Sequence, residues 1–134
     1  MKGARIVLDT NVLVSALLKP LSDSGTILGH IRAERLVLLL DQRILLEYRE
    51  VLRRPKFNFN LSLLDETIAY LDRFGEFVAA EPLSGILPDP DDKPFLEVAL
   101  SGGADALITG NKKDFGRPPK TLRIVSPSEF LKGS

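Results

Sequence analysis

The stretch that decides the fold is Arg5-Ile6-Val7-Leu8-Asp9-Thr10-Asn11-Val12-Leu13-Val14-Ser15-Ala16-Leu17. Ile6, Val7 and Leu8 form an unbroken apolar run, which reads as a short strand buried on both faces. Val12, Leu13, Ala16 and Leu17 then recur at helical spacing, with Asn11 as the expected N-cap. Asp9 therefore falls where a buried strand gives way to a helix. In open α/β sheets, that carboxyl edge is where ligands bind. A carboxylate there is either a capping and turn residue or a ligand for something positive, and this stretch alone leaves both readings open.

The same alternation continues outward. Leu18 to Gly25 reads as a turn, followed by a helix carrying Ile27, Leu28 and Ile31. Leu36-Val37-Leu38-Leu39-Leu40 is a second buried strand, and Asp41 is a good N-cap for a helix that Pro55 stops after Arg54. Another amphipathic helix spans Leu61 to Phe74, with Ser62 as its expected cap, and Phe77-Val78-Ala79-Ala80 is a weak strand. After the acidic turn Leu87 to Pro94, a helix from about Asp92 to Ser101 ends at Gly102-Gly103. Ala106 to Thr109 and Arg123 to Val125 are the last strands, and Ser126-Pro127-Ser128-Glu129 opens a final helix with a capping box. Strands alternating with helices specify right-handed crossovers and a parallel sheet covered on both faces.

Composition narrows the chemistry. Lysine plus arginine equals aspartate plus glutamate, 18 of each, so no global basic field draws in a polyanion. Without cysteine there is no disulfide framework, thiolate metal site or thiol nucleophile, and a single histidine, His30, cannot build a histidine-rich metal site. The apolar runs are too short to span a bilayer, which needs ~20 residues, and no secretory-type leader is seen. A single-domain, cytoplasmic protein over residues 1–134 is the expectation.

Three acids fall at unusual places. Asp9 ends a strand. Glu47 borders the apolar stripe of Ile44, Tyr48, Val51 and Leu52, whereas Glu50 and Arg54 point to solvent. Asp92 heads the core-facing stripe of Phe95, Leu96, Ala99 and Gly103, a position open to a helix-dipole role as well as to a site. If all three carboxylates converged, each pair ~4 Å apart would cost about 4 kcal/mol at an effective dielectric of ~20. Three such pairs rival the ~5–15 kcal/mol stability of a whole domain. A cation would relieve that repulsion, and oxygen ligands favour Mg²⁺ or Mn²⁺.

The sequence resembles the PIN-domain family, in particular its bacterial and archaeal members described as toxins of toxin–antitoxin systems. Four blocks carry the likeness: Val7 to Val12; Leu46 to Phe57, which includes Arg53-Arg54-Pro55-Lys56-Phe57; Asp89 to Leu100; and Gly103 to Asp114. The resemblance implies a three-layer α/β/α domain with strand order 3-2-1-4-5 and Mg²⁺- or Mn²⁺-dependent cleavage of RNA. It places the catalytic, metal-binding acids on Asp9, Glu47 and Asp92, with Asp114 and Asn111 as further ligand candidates. Asn111 stands where the family often has an acid, which puts a second metal in doubt. Thr10, Asn11 and Thr109 are candidates for supporting hydrogen bonds. Arg53, Arg54, Lys112 and Lys113, with Arg49, Lys56 and Arg117, are candidates for RNA backbone contacts. An antitoxin partner and a homodimer are implied in the same way. A weakened PIN domain acting only as a protein- or RNA-binding module is the alternative; an aspartyl phosphatase and a structure-specific DNA nuclease are the other rivals.

Overall fold

A computed structural model of the chain describes residues 3–84, 90–116 and 119–133. Its centre is a parallel five-stranded sheet of order β3-β2-β1-β4-β5, as the resemblance implied. The strands are β1 (Ala4–Leu8), β2 (Leu36–Leu40), β3 (Glu76–Phe77), β4 (Ala106–Ile108) and β5 (Arg123–Val125). The helices that flank them are α1 (Thr10–Leu18), α2 (Asp23–Arg32), α3 (Gln42–Leu52), α4 (Leu61–Phe74), α5 (Lys93–Ser101) and α6 (Pro127–Leu131). The strand order reverses between β1 and β4, whose register pairs Leu8 with Ile108. Their carboxyl ends therefore emerge side by side, and a crevice forms at such a switch point.

The middle strands are short and continuously apolar because both faces are covered. Ile6, Val7, Leu8, Leu39, Leu40, Leu107 and Ile108 are all buried. From above and below, Leu13, Ile27, Ile44, Tyr48, Phe95 and Val98 pack onto them. At ~25 cal/mol per Å² of apolar surface removed from water, this contiguous core is the main driving force for the fold.

Several boundaries differ from the sequence expectations, each for a local reason. α1 starts two residues earlier than expected, because Asp9 and not Asn11 caps it by accepting from the Thr10 amide. α2 begins at Asp23, inside the expected turn, with Ser22 accepting from the Gly25 amide. Asn60 caps α4 instead of Ser62, since its side-chain oxygen reaches the Leu63 amide. α3 ends at Leu52, and Pro55 starts a 3₁₀ turn. β3 is only two residues long; Val78 still donates to Leu40 O at 2.9 Å before the chain turns away. Of the acidic turn, residues 87–89 lie outside the described set, and Pro90–Asp92 forms a 3₁₀ turn that feeds α5. The capping box at Ser126 and Glu129 forms as read, and Gly103 takes the left-handed backbone expected after α5, with φ +64°.

Two polar clasps hold the ends of the sheet. The Arg5 guanidinium donates to Glu76 on β3 and to Gly102 O at the end of α5. Its own amide donates to Asp105 at 2.8 Å, so Asp105 ties down the turn before β4. At the other end, buried Glu97 accepts from Arg43 on α3 and from the Leu83 amide, both at 2.7 Å. Burial pushes the Glu97 carboxyl up, but these two donors outweigh it and hold it below the usual carboxylate range. Glu97 thereby pins the segment after β3 against α5 and α3. Replacing Glu97 with alanine strands a buried amide and one arm of Arg43. It is expected to cost about 1–3 kcal/mol, read as a lower urea midpoint with unchanged slope.

Candidate active site

Asp9 is the anchor, with only 5% of its surface exposed. One carboxylate oxygen accepts from the Thr10 amide at 2.8 Å, and the other accepts from the Thr109 hydroxyl at 2.7 Å. The first bond begins α1, and the second crosses from the end of β1 to the end of β4. The Thr109 hydroxyl also accepts from the Asn111 amide at 3.0 Å, and the Asn11 side chain accepts from the Gly110 amide at 3.2 Å. Thr10, Asn11 and Thr109 therefore all lie in the hydrogen-bonded frame around Asp9. Each also does ordinary turn or cap work there.

Glu47 reaches this frame from α3, where the Thr10 hydroxyl donates to its carboxylate. The next residue, Tyr48, is fully buried and donates its hydroxyl to Leu8 O at 2.6 Å. Burial, and then the nearby charges of Asp9 and Glu47, push the Tyr48 phenol well above its ordinary range. Both carboxylates are thus close to one ring. Asp92 enters from the start of α5, with one oxygen buried. Asp92 is the N-cap residue of α5, and its side chain makes no capping hydrogen bond to that helix. Glu47, Asp92, Asp91, Glu50, Arg43 and Arg54 line one open cleft.

The pairings run from Asp9 through Thr10 to Glu47, and across the cleft from Glu47 to Asp92. Among the described residues, no three carboxylates or imidazoles stand together as a ready-made metal cage. The Thr10 amide and the Thr109 hydroxyl donate to Asp9, and the Thr10 hydroxyl donates to Glu47. The chemistry of the donor set still suits a hard divalent cation: it consists of oxygens, with no sulfur and no imidazole.

The remaining candidates are distributed unevenly. Asn111 is exposed, at the start of the 3₁₀ turn Lys112–Phe115. Its backbone joins the Thr109 frame. Asp114, half-buried, sits further along the turn that seats Phe115 in the core. Lys112 donates to Glu129 at 2.9 Å and fastens this turn to α6. Arg53 pairs with Asp65 on α4. Lys113, Arg49 and Lys56 are exposed, Arg54 is exposed at the cleft wall, and Arg117 lies outside the described residues. Sequence reasoning missed Arg43 and the Tyr48 hydroxyl. Arg43 lies four residues before Glu47, one helical turn away on the same face, and that spacing was the available signal.

With the geometry in view, the comparisons with known proteins agree. Residues 5–113 match the PIN domain family. An uncharacterised protein of the archaeon Methanocaldococcus jannaschii is 30% identical over 139 aligned positions, covering 95% of this chain and 89% of that protein. A crystal structure of VapBC2 from Rickettsia felis, bound to a DNA fragment from its promoter, has a chain that superposes with a TM-score of 0.59. That match covers 90% of this chain and 96% of the other at 18% identity, a likeness of fold. The chain belongs to the PIN domain family, whose members are generally nucleases.

Two outcomes test this frame. Tyr48→Phe removes only the bond to Leu8 O, and should lower stability by about 0.5–1.5 kcal/mol in urea unfolding. The second concerns Glu129, which the Ser126 amide and Lys112 hold down from 4.5 to about 2. A depressed carboxylate stabilises fully above its unfolded value and loses that contribution as pH falls through its folded value. The native chain should therefore exceed Glu129→Gln in urea midpoint above about pH 4.5, and the gap should close towards about pH 2.

Proposed function

We propose that this chain is a metal-dependent endoribonuclease and the toxin of a toxin–antitoxin pair, acting in the cytoplasm. The observation that carries the reading is the buried Asp9 carboxylate at the β1/β4 switch point, which accepts from the Thr10 amide and the Thr109 hydroxyl while the Thr10 hydroxyl donates to Glu47. The antitoxin partner, and the possibility of a homodimer, are supported by the fold likeness to a chain of VapBC2 from Rickettsia felis, crystallised with promoter DNA.

Asp9, Asp92 and Glu47 would hold Mg²⁺ or Mn²⁺, with Asn111 or Asp114 adding an oxygen. Such an ion supplies charge stabilisation at the oxygens of the phosphodiester under attack. The chain's own groups do the rest. Thr109 and the Thr10 amide fix the Asp9 carboxylate in one orientation. The Thr10 hydroxyl fixes Glu47, leaving its remaining lone pairs to orient a water and take its proton as that water attacks phosphorus in line. Tyr48 sets how far α3, and hence Glu47, stands from the end of β1. Arg54 on the cleft wall suits a phosphate flanking the cut, whereas Arg43 beside it is engaged by Asp41 and Glu97, and local placement matters here because the net charge is zero.

Asp9→Asn and Glu47→Gln test the assignment. An asparagine at position 9 still offers a cap and a partner for Thr109, so the fold should persist by circular dichroism. RNA cleavage with Mn²⁺ should fall by about 10²–10⁴-fold in Glu47→Gln and vanish in Asp9→Asn. Mn²⁺ should raise the melting temperature of the native protein and not that of Asp9→Asn. Undiminished cleavage by either variant overturns the assignment.

A further inference from the structure

Between the end of α3 and the start of α4 lies a second pocket, of about 240 Å³. Pro55, Asn58, Phe59 and Leu64 line it together with Arg53 and Arg54. Arg54 is also a wall of the carboxylate cleft, so one side chain separates the two. We propose that this pocket is a nucleobase subsite, taking an unpaired base of the RNA close to the cut while Arg54 holds the phosphate between.

Size and chemistry favour a base. The volume is below the ~300–1,000 Å³ of sites for drug-sized ligands, so it suits one small planar group. Phe59 stacks on Phe57 with ring centres 5.7 Å apart and planes 25° from parallel, and Lys56 lies over the Phe57 ring at 5.1 Å. Aromatic rings beside cations are what single-stranded nucleic-acid sites use to stack bases and grip the backbone. Asn58 is held in the left-handed region at φ +51° and is exposed. Its carboxamide carries both a donor and an acceptor, as a base edge requires. Continuity with the acidic cleft then distinguishes this pocket from the apolar groove beside Tyr70 and Phe74, which adjoins no candidate catalytic carboxylate. A duplex cannot present a base here without unpairing it, so the subsite predicts selectivity for single strands.

This inference rests on the nuclease reading, and its test separates the two. Each base of a short single-stranded RNA substrate is removed in turn, leaving an abasic site, and kcat/KM is measured with Mn²⁺ for the native protein and for Asn58→Gly. Glycine keeps the left-handed backbone and deletes only the amide; Phe59→Leu is the second variant, with its fold checked by circular dichroism. One abasic position near the cut should cost the native protein about 10- to 100-fold. That penalty should shrink in both variants. The labelled oligoribonucleotide, bound with Ca²⁺ in place of Mn²⁺, should show the same dependence in its Kd. Cleavage with a flat abasic scan, or a penalty that neither variant reduces, overturns the subsite and leaves the nuclease standing. Base-dependent binding without cleavage overturns the nuclease and keeps the subsite. If the pocket instead receives a protein side chain, neither variant changes oligonucleotide affinity, and that result also rejects the proposal.

Discussion

The hydrogen bond from the Thr109 hydroxyl to Asp9 is the constraint on which the rest depends. A carboxylate this deeply buried is costly unless donors surround it, and isolated burial would cost several kcal/mol. Here one donor belongs to the helix that Asp9 itself starts, and the other to the strand beside it. The same two bonds that make the charge tolerable also fix where it points. Because Asp9 and Thr109 directly follow two neighbouring buried parallel strands, the carboxylate sits at the edge of the sheet and not on a surface loop.

The second support is α3, a helix with a divided role. Ile44, Leu45, Tyr48 and Leu52 are buried in the core, while Arg43, Glu50 and Arg54 face the cleft side. Glu47 lies on the seam between these faces, half-buried. Packing sets the helix roll, and the Tyr48 hydroxyl adds a directional bond to the backbone one residue before Asp9. Apolar burial has no preferred direction, whereas a hydrogen bond does. That is why the polar contacts, few as they are, decide the geometry of the cleft.

How much of this was legible in the sequence follows from the range of each interaction. The continuous run Ile6 to Leu8 and its counterpart Leu36 to Leu40 could belong only to doubly covered strands, and the parallel sheet follows from them. The capping box at Ser126 was readable because its partners are three residues apart. Asp92 stood out by helical arithmetic alone. What was hidden was whatever depends on distant partners or on competition between neighbours. Asp9 displaced Asn11 as cap because Asn11 is engaged by the Gly110 amide, 99 residues away. Lys112, read as a candidate for RNA backbone contacts, is held by Glu129 across a fold contact that no spacing rule reveals. β3 was expected over Phe77 to Ala80 because Val78 to Ala80 are apolar; the strand is Glu76–Phe77, and further on the Leu83 amide donates to Glu97. Of the three acids singled out in the sequence, Asp9 and Glu47 are both held by Thr10, through its amide and its hydroxyl, and Glu47 shares a cleft with Asp92.

The distance along the chain between the parts of this cleft has a consequence for biosynthesis. Asp9 is made early, Glu47 comes after a further strand and two helices, and Thr109, which orients Asp9, belongs to the last third of the polypeptide. A ribosome-bound chain that has not yet delivered β4 holds the first acid but not the hydroxyl that aims it. The carboxylate frame is thus completed late in synthesis, and a fragment that ends before β4 lacks the hydroxyl that orients Asp9.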